Sequence, residues 1–233
     1  MLEPKHREEK MSNISVFDII GPVMIGPSSS HTAGAQKLGR VAGSICGKSF
    51  NAVEFYLHGS FAKTYKGHGT DKALTAGILG MDPDDGRLRD SLAIAEAKGI
   101  KVDFIEADLG EVHPNTVKIV IKNNEAVLLT LMGSSTGGGN ILITEVDGCP
   151  LEISGQYTAI IIRHKDIRGM VSKISGIIAQ NQLNIATLKV SRERKGETAT
   201  TVVEIDNAAP ESIVDEIMEI NNVISVRLLN SIA

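Results

Sequence analysis

Tryptophan is absent from this 233-residue chain, and the aromatic share is only 3%. A surface that stacks nucleic-acid bases needs aromatic platforms, so that class of function is disfavoured. Surplus positive charge is also missing: Lys+Arg is 24 against Asp+Glu 28, a formal net charge of -4, with no basic stripe. A nucleic-acid partner is therefore not expected. Cysteine is scarce. Cys46 and Cys149 lack CxxC spacing and cannot by themselves ligate zinc or an iron–sulfur cluster. Sparse cysteine fits a reducing, cytoplasmic compartment. No apolar run approaches the ~20 residues that span a bilayer. The opening MLEPKHREEKMSN is charged throughout and has no apolar h-region, so residues 1–13 read as a flexible lead, with Met11 an alternative start.

What the chain does have is 42% apolar residues, enough for a real core. The last third has a regular rhythm. QYTAIIIRH (156–164) alternates and is β-branched, which predicts a strand. IRGMVSKISGIIAQNQ (167–182) predicts a helix with Val171, Ile174, Ile177 and Ile178 on one stripe. LNIATLKVSRER, ATTVVEID and VISVRLLN read as strands, and PESIVDEIMEINN as a helix with Pro210 near its start. The order β-α-β-β-α-β is the ferredoxin-like plan. The first part, 14–152, predicts an α+β domain with mostly antiparallel pairing. Its helices run from the SSSHT corner through QKLGRVAGSICG, and over GTDKALTAGILGM and RLRDSLAIAEAKG. Its strands are AVEFYLHG, VDFIEAD, TVKIVIKN, AVLLTLMG and NILITEVDG. A boundary falls between Pro150 and Gln156, and the second domain spans 156–233.

Three short motifs are discounted. G-S-I-C-G-K-S (43–49) has three residues, not four, between its glycine and GK, and follows a helical pattern, so it is not a phosphate loop. G-S-S-T-G-G-G-N (133–140) lies between strands and reads as a β-connection. N-I-S (13–15) matches a glycosylation acceptor without a secretory context.

Polar residues concentrate at three corners. In I-G-P-S-S-S-H-T-A-G-A, one of Ser28, Ser29 or Ser30 serves to cap the following helix. Three serines with His31 and Thr32 exceed what capping requires, and a helix N-terminus favours an anion. In Y-L-H-G-S-F-A-K-T-Y-K-G-H-G-T-D, His58 ends a strand next to Ser60. His68 sits between two glycines that let backbone approach a ligand closely. Thr70 or Asp71 also suits a helix cap. V-H-P-N-T-V adds His113 and Asn115 around a proline. Each feature has a structural explanation alone; four of six histidines at element ends together suggest acid–base chemistry on a small polar substrate. No H-x-x-x-H or neighbouring cysteine supports zinc, and no metal ligand is assigned in this chain.

The stretches V-F-D-I-I-G-P-V-M-I-G-P-S-S-S-H-T-A-G, H-G-S-F-A-K-T-Y-K-G-H-G-T-D-K-A and H-P-N-T-V strongly resemble the β subunit of bacterial iron–sulfur-dependent L-serine dehydratase (L-serine ammonia-lyase). The C-terminal part looks like an ACT domain. The resemblance implies conversion of L-serine to pyruvate and ammonia, an amino-acid catabolic step, without pyridoxal phosphate. It implies a [4Fe–4S] cluster held by cysteines of a separate α subunit, so that this chain is active only in a hetero-oligomer. Carried over by position, Ser28, Ser29, Ser30 and Thr32 would hold the substrate carboxylate. His31 would be the proton-abstracting base, with His68 chemically suited too. His58, Ser60, Thr70, Asp71, His113 and Asn115 would line the cleft. The first domain also resembles the allosteric substrate-binding domain of some phosphoglycerate dehydrogenases, which leaves a non-catalytic amino-acid sensor as the alternative. In the ACT part the resemblance places Asp166, Gly169, Met170 and Asn184 near an effector, often across a dimer. Arg168 stands where the family pattern has a proline that would fix the loop.

Overall fold

The computed structural model describes residues 26, 28–47, 49–192 and 194–231. The predicted N-terminal lead, with Met11, lies outside the described residues. Two sheets organise the chain. The first has six strands in the order β2-β1-β3-β4-β5-β6. They are β1 (Ala52–Leu57), β2 (Lys101–Glu106), β3 (Thr116–Asn123), β4 (Ala126–Gly137), β5 (Asn140–Val146) and β6 (Cys149–Ile153). Only β1 and β2 are parallel; every other pair is antiparallel. Val53, Phe55 and Leu57, at every second position of β1, bury one face. The opposite face carries Glu54, held by Lys122 at 2.5 Å and by Tyr56 at 2.9 Å.

Four helices accompany this sheet: α1 (Ala35–Cys46), α2 (Gly59–His68), α3 (Thr70–Ile78) and α4 (Ser91–Ala97). Leu38, Val41, Ala42 and Ile45 of α1 recur at helical spacing and join Leu74 and Ile78 of α3 in one core with the strands. The two helices meet backbone to backbone. A Cβ on Gly39 would stand 2.2 Å from the Leu74 carbonyl oxygen, and one on Gly77 would stand 2.0 Å from that of Gln36. Only glycine permits that approach.

The C-terminal sheet is antiparallel, in the order β10-β7-β9-β8. Its strands are β7 (Thr158–Lys165), β8 (Ile185–Arg192), β9 (Thr198–Ile205) and β10 (Val223–Leu229), with α5 (Met170–Gln180) and α6 (Ser212–Met218) between them. This is the ferredoxin-like arrangement. Ile160, Ile162, Val203 and Ile205 face α5 and α6. Ala159, Ile161, Val202 and Leu229 face the other way and belong to the core of the first sheet. Between the sheets, Arg227 pairs with Asp147 at 2.9 Å and donates to the Leu128 carbonyl at 2.7 Å.

Two readings of the sequence are corrected, and two further elements are added to it. β7 does not alternate: Thr158 to Ile162 are all buried, because both of its faces are covered. Val171 is 41% exposed, and Met170 takes its place on the buried stripe of α5 with Ile174 and Ile178. The stretch around Ser60 and His68 is a helix, α2. Cys149–Ile153 forms an additional strand, β6, which tolerates Pro150 because it is the sheet's edge. Cys46 and Cys149 are both buried and free. Among the described residues no helix is long and apolar enough to cross a membrane.

Candidate functional site

The polar corner opens with Ser28 in extended conformation, followed by a π-helical turn over Ser29–Gly34 that leads into α1. Such wide turns occur frequently at functional sites. The Thr32 amide donates to the Ser28 carbonyl at 2.8 Å and closes the turn. It is seated on β4, close enough that a Cβ on Gly34 would lie 2.0 Å from Ser135 Oγ.

This turn places the His31 ring between two hydroxyls. Ser28 Oγ accepts from the His31 amide and lies 3.3 Å from Nδ1. On the other side, Ser60 Oγ lies 3.1 Å from Nε2. Ser60 comes from the first turn of α2, where its amide donates to the Pro114 carbonyl at 2.8 Å. The ring also meets Phe61 edge-on, with centroids 5.3 Å apart, and His68 in the same manner at 4.9 Å. Burial, and then the charge of His68, push the His31 pKa down from its ordinary value. The imidazole is thus biased toward its neutral form, with one ring nitrogen carrying a lone pair.

His68 is the last residue of α2 and lies on an exposed edge. With Thr32 it borders a cleft of about 280 Å³, to which Lys66, Lys72 and Arg89 also contribute. These three cations were not among the residues expected from the sequence. Lys66 and Lys72 flank His68 in the motif K-G-H-G-T-D-K, which was the available signal; Arg89 comes from a separate 3-10 turn, Gly86–Asp90. Thr32 is 1% exposed and Thr70, which opens α3, is 0% exposed; neither hydroxyl has a partner among the described residues. Asp71 accepts from the Lys72 amide at 2.8 Å, and burial raises its pKa.

The remaining candidates are divided. Ser29 and Ser30 are half-buried in the π turn. Asn115 reaches the corner through its backbone, which accepts from the Ser135 amide at 3.0 Å. His58 points elsewhere: its Nδ1 accepts from the Leu109 amide at 3.1 Å, with Asp108 3.7 Å away. His113 is exposed, and its Nδ1 accepts from the Asn115 amide. In the second sheet, Asp166 accepts from Arg192 and the Gly196 amide, both at 2.9 Å, at the end of β7. Gly169 and Met170 begin α5 at that same end. Asn184 instead donates to Asp206 at the start of β8, eight strand residues away and about 25 Å off at ~3.3 Å per residue. Within one chain Asn184 does not share a pocket with the other three.

The described residues do not fit an iron–sulfur cluster. No group of three or more His, Cys, Asp or Glu stands together among them. The two thiols border different clefts, Cys46 at the end of α1 and Cys149 on β6.

A histidine set between serine hydroxyls, beside a cleft rimmed by three cations and joined to a ferredoxin-like sheet, defines a class: a two-part α+β chain with a polar histidine corner suited to a small anionic molecule and an appended ferredoxin-like domain. Comparison with known proteins narrows it. Residues 15–101 match the model of the serine dehydratase beta chain, and residues 158–222 that of the ACT domain. A chain from Bacillus subtilis described as a probable L-serine dehydratase, beta chain, is 45% identical over 91% of this chain and 96% of its own length. The L-serine dehydratase, beta chain, of Peptoniphilus asaccharolyticus is 42% identical over 89% and 94%. L-serine dehydratase 2 of Escherichia coli is 30% identical over 73% of this chain but only 43% of its own. The chain belongs to the L-serine dehydratase beta-chain family.

Proposed function

We propose that this chain is the beta half of an L-serine ammonia-lyase, and that His31 takes the α-proton of L-serine. The observation that carries the proposal is the His31 ring, set between the hydroxyls of Ser28 and Ser60 where burial lowers its affinity for a proton. Ser28 Oγ already accepts from the His31 amide and retains a lone pair for an Nδ1–H, which leaves the basic lone pair on Nε2 toward Ser60. The substrate carboxylate lies against Ser28, Ser29, Ser30 and Thr32 at the head of the turn, with Lys66, Lys72 and Arg89 supplying positive charge across the cleft. Thr70 and Asp71 open α3 between His68 and Lys72, which line that cleft, and Asn115 supports the corner from behind Ser135. His58 and His113 support the loops around Pro114. Proton abstraction with loss of the β-hydroxyl gives aminoacrylate, which tautomerises and hydrolyses to pyruvate and ammonia.

The other half of the site belongs to an α subunit in this reading. The Escherichia coli relative, more than twice the length that this chain matches, supports it. The [4Fe–4S] group implied by the family would be held by that subunit's cysteines, where it would assist departure of the hydroxyl. The division into a substrate-binding-like domain (14–152) and an ACT domain (156–233) is part of the proposal, as is cytoplasmic residence, which two free cysteines suit. An effector bound by Asp166, Gly169 and Met170 would draw Asn184 from a second copy, through an ACT homodimer.

Anaerobic co-expression with the α subunit, followed by measurement of pyruvate formed from L-serine, tests the reading. Loss of a general base costs about 10²–10⁴-fold, so His31→Ala lowers kcat by at least about 10²-fold. Full turnover by the variant would refute the base assignment; full turnover by the α subunit alone would favour a sensing module instead.

A further inference from the structure

The outer face of the C-terminal sheet holds a cation that has no counter-ion among the described residues. Ala159 and Ile161 of β7 point into the shared core, and Arg163, two residues further on, shares their face. Its cross-strand neighbour on β9 is Thr200, and Thr200 in turn lies opposite Ser191 on β8. Where the sheets diverge, this row meets β6. The resulting cleft, about 230 Å³, is lined by Arg163, Thr198, Thr200, Ser191 and Arg192, with Cys149 and Pro150 on the far wall.

The neighbouring charges are already engaged. Arg192 pairs with Asp166, Lys189 with Glu152, and Arg227 with Asp147. Arg163 is half-buried, has no ion pair among the described residues, and its Nε–H is buried without an acceptor. A guanidinium in that position is costly unless an anion meets it.

We propose that this cleft binds a small carboxylate. One unpaired guanidinium matches one negative charge, and its planar fork grips a carboxylate with two parallel hydrogen bonds. The hydroxyls of Thr198, Thr200 and Ser191 add donors, while Pro150 and Cys149 offer an apolar wall for a short carbon stem. The volume is below the ~300 Å³ where pockets for drug-sized ligands begin, so the ligand has few heavy atoms. The cleft is separate from the β7–α5 turn, because α5 covers the opposite face of the sheet.

The test is an NMR titration of the ¹⁵N-labelled full chain with sodium acetate, and separately with inorganic phosphate, at constant ionic strength. The arginine Nε–H signal that vanishes in Arg163→Lys identifies Arg163. Acetate is expected to shift that signal, and the amides of Thr198 and Thr200, saturably. Thr200→Val, which keeps the shape of the side chain, is expected to weaken acetate at least about 3-fold and is readable on the amides even if the lysine variant does not fold. Tighter binding of phosphate than acetate overturns the choice of carboxylate. Absence of saturable shifts with either probe overturns the site.

Discussion

His31 sits where two effects lower its affinity for a proton, and they separate by mutation. Burial is the larger and the charge of His68 the smaller. In His68→Gln, the His31 midpoint measured by NMR is expected to rise but to stay below the ordinary 6.5, since burial persists. The same depression links the residue to stability. As pH falls below 6.5 the unfolded chain takes up the proton first, so native stability declines from there down through the lower folded-state value; above 6.5 this group contributes no slope. Urea titrations at pH 7.5 and 5.5 would show the decline in the wild type and a flatter response in His31→Gln. Ser60→Ala removes one hydroxyl contact from the ring. With a typical hydrogen bond at about 1 kcal/mol, its effect on kcat is about 5-fold, far short of losing the imidazole.

The seat of the π turn on β4 is an element-scale feature that tolerates little. Gly34→Ala forces a methyl group against Ser135 Oγ at 2.0 Å and Cβ at 2.7 Å. Overpacking of this kind costs about 1–3 kcal/mol. Thermal denaturation is expected to show that loss, and Ser135→Gly to restore part of it in the double variant. Legibility in the sequence follows the same local logic. The β-branched runs at 158–165, 198–205 and 223–229 declared themselves, because strand propensity and turn residues agree there. Helix α2 did not: Gly59 and Gly67 weaken its helical signature, and it is held by the buried Phe61 and by the Pro114 carbonyl, contacts distant in sequence. β6 was hidden by Pro150, which is unfavourable in a strand except at an edge, and edges are set by topology. The serine–histidine corner was legible as a cluster. The sequence alone could not separate His58, turned toward Leu109, from His31 and His68, because all three share the same company of Gly, Ser and Thr.

At the scale of the whole molecule, the two sheets share a core. Ile161, Val202 and Leu229 pack with residues of the first sheet and are almost fully buried. A chain ending at residue 155 would expose the apolar surface they cover. It is expected to aggregate or to melt well below the full chain, which light scattering during a thermal ramp would reveal. Arg227→Met leaves Asp147 without its cation and the Leu128 carbonyl without this donor. A cost of about 1–3 kcal/mol is expected from the unpaired groups, measurable by urea unfolding. Arg192 ties the β7–α5 turn to the rim of the Arg163 cleft through Asp166, so an anion that draws Arg192 away would loosen the approach to α5.

The glycine contact between α1 and α3 has a consequence for binding. Helix α1 begins just after His31 and α3 begins at Thr70, so the two sides of the cleft ride on helices whose backbones touch without side chains to yield between them. Their relative position is settled when the chain folds. Any molecule that completes this cleft therefore meets a mould already set, and ordering these two sides adds no entropic cost to the encounter.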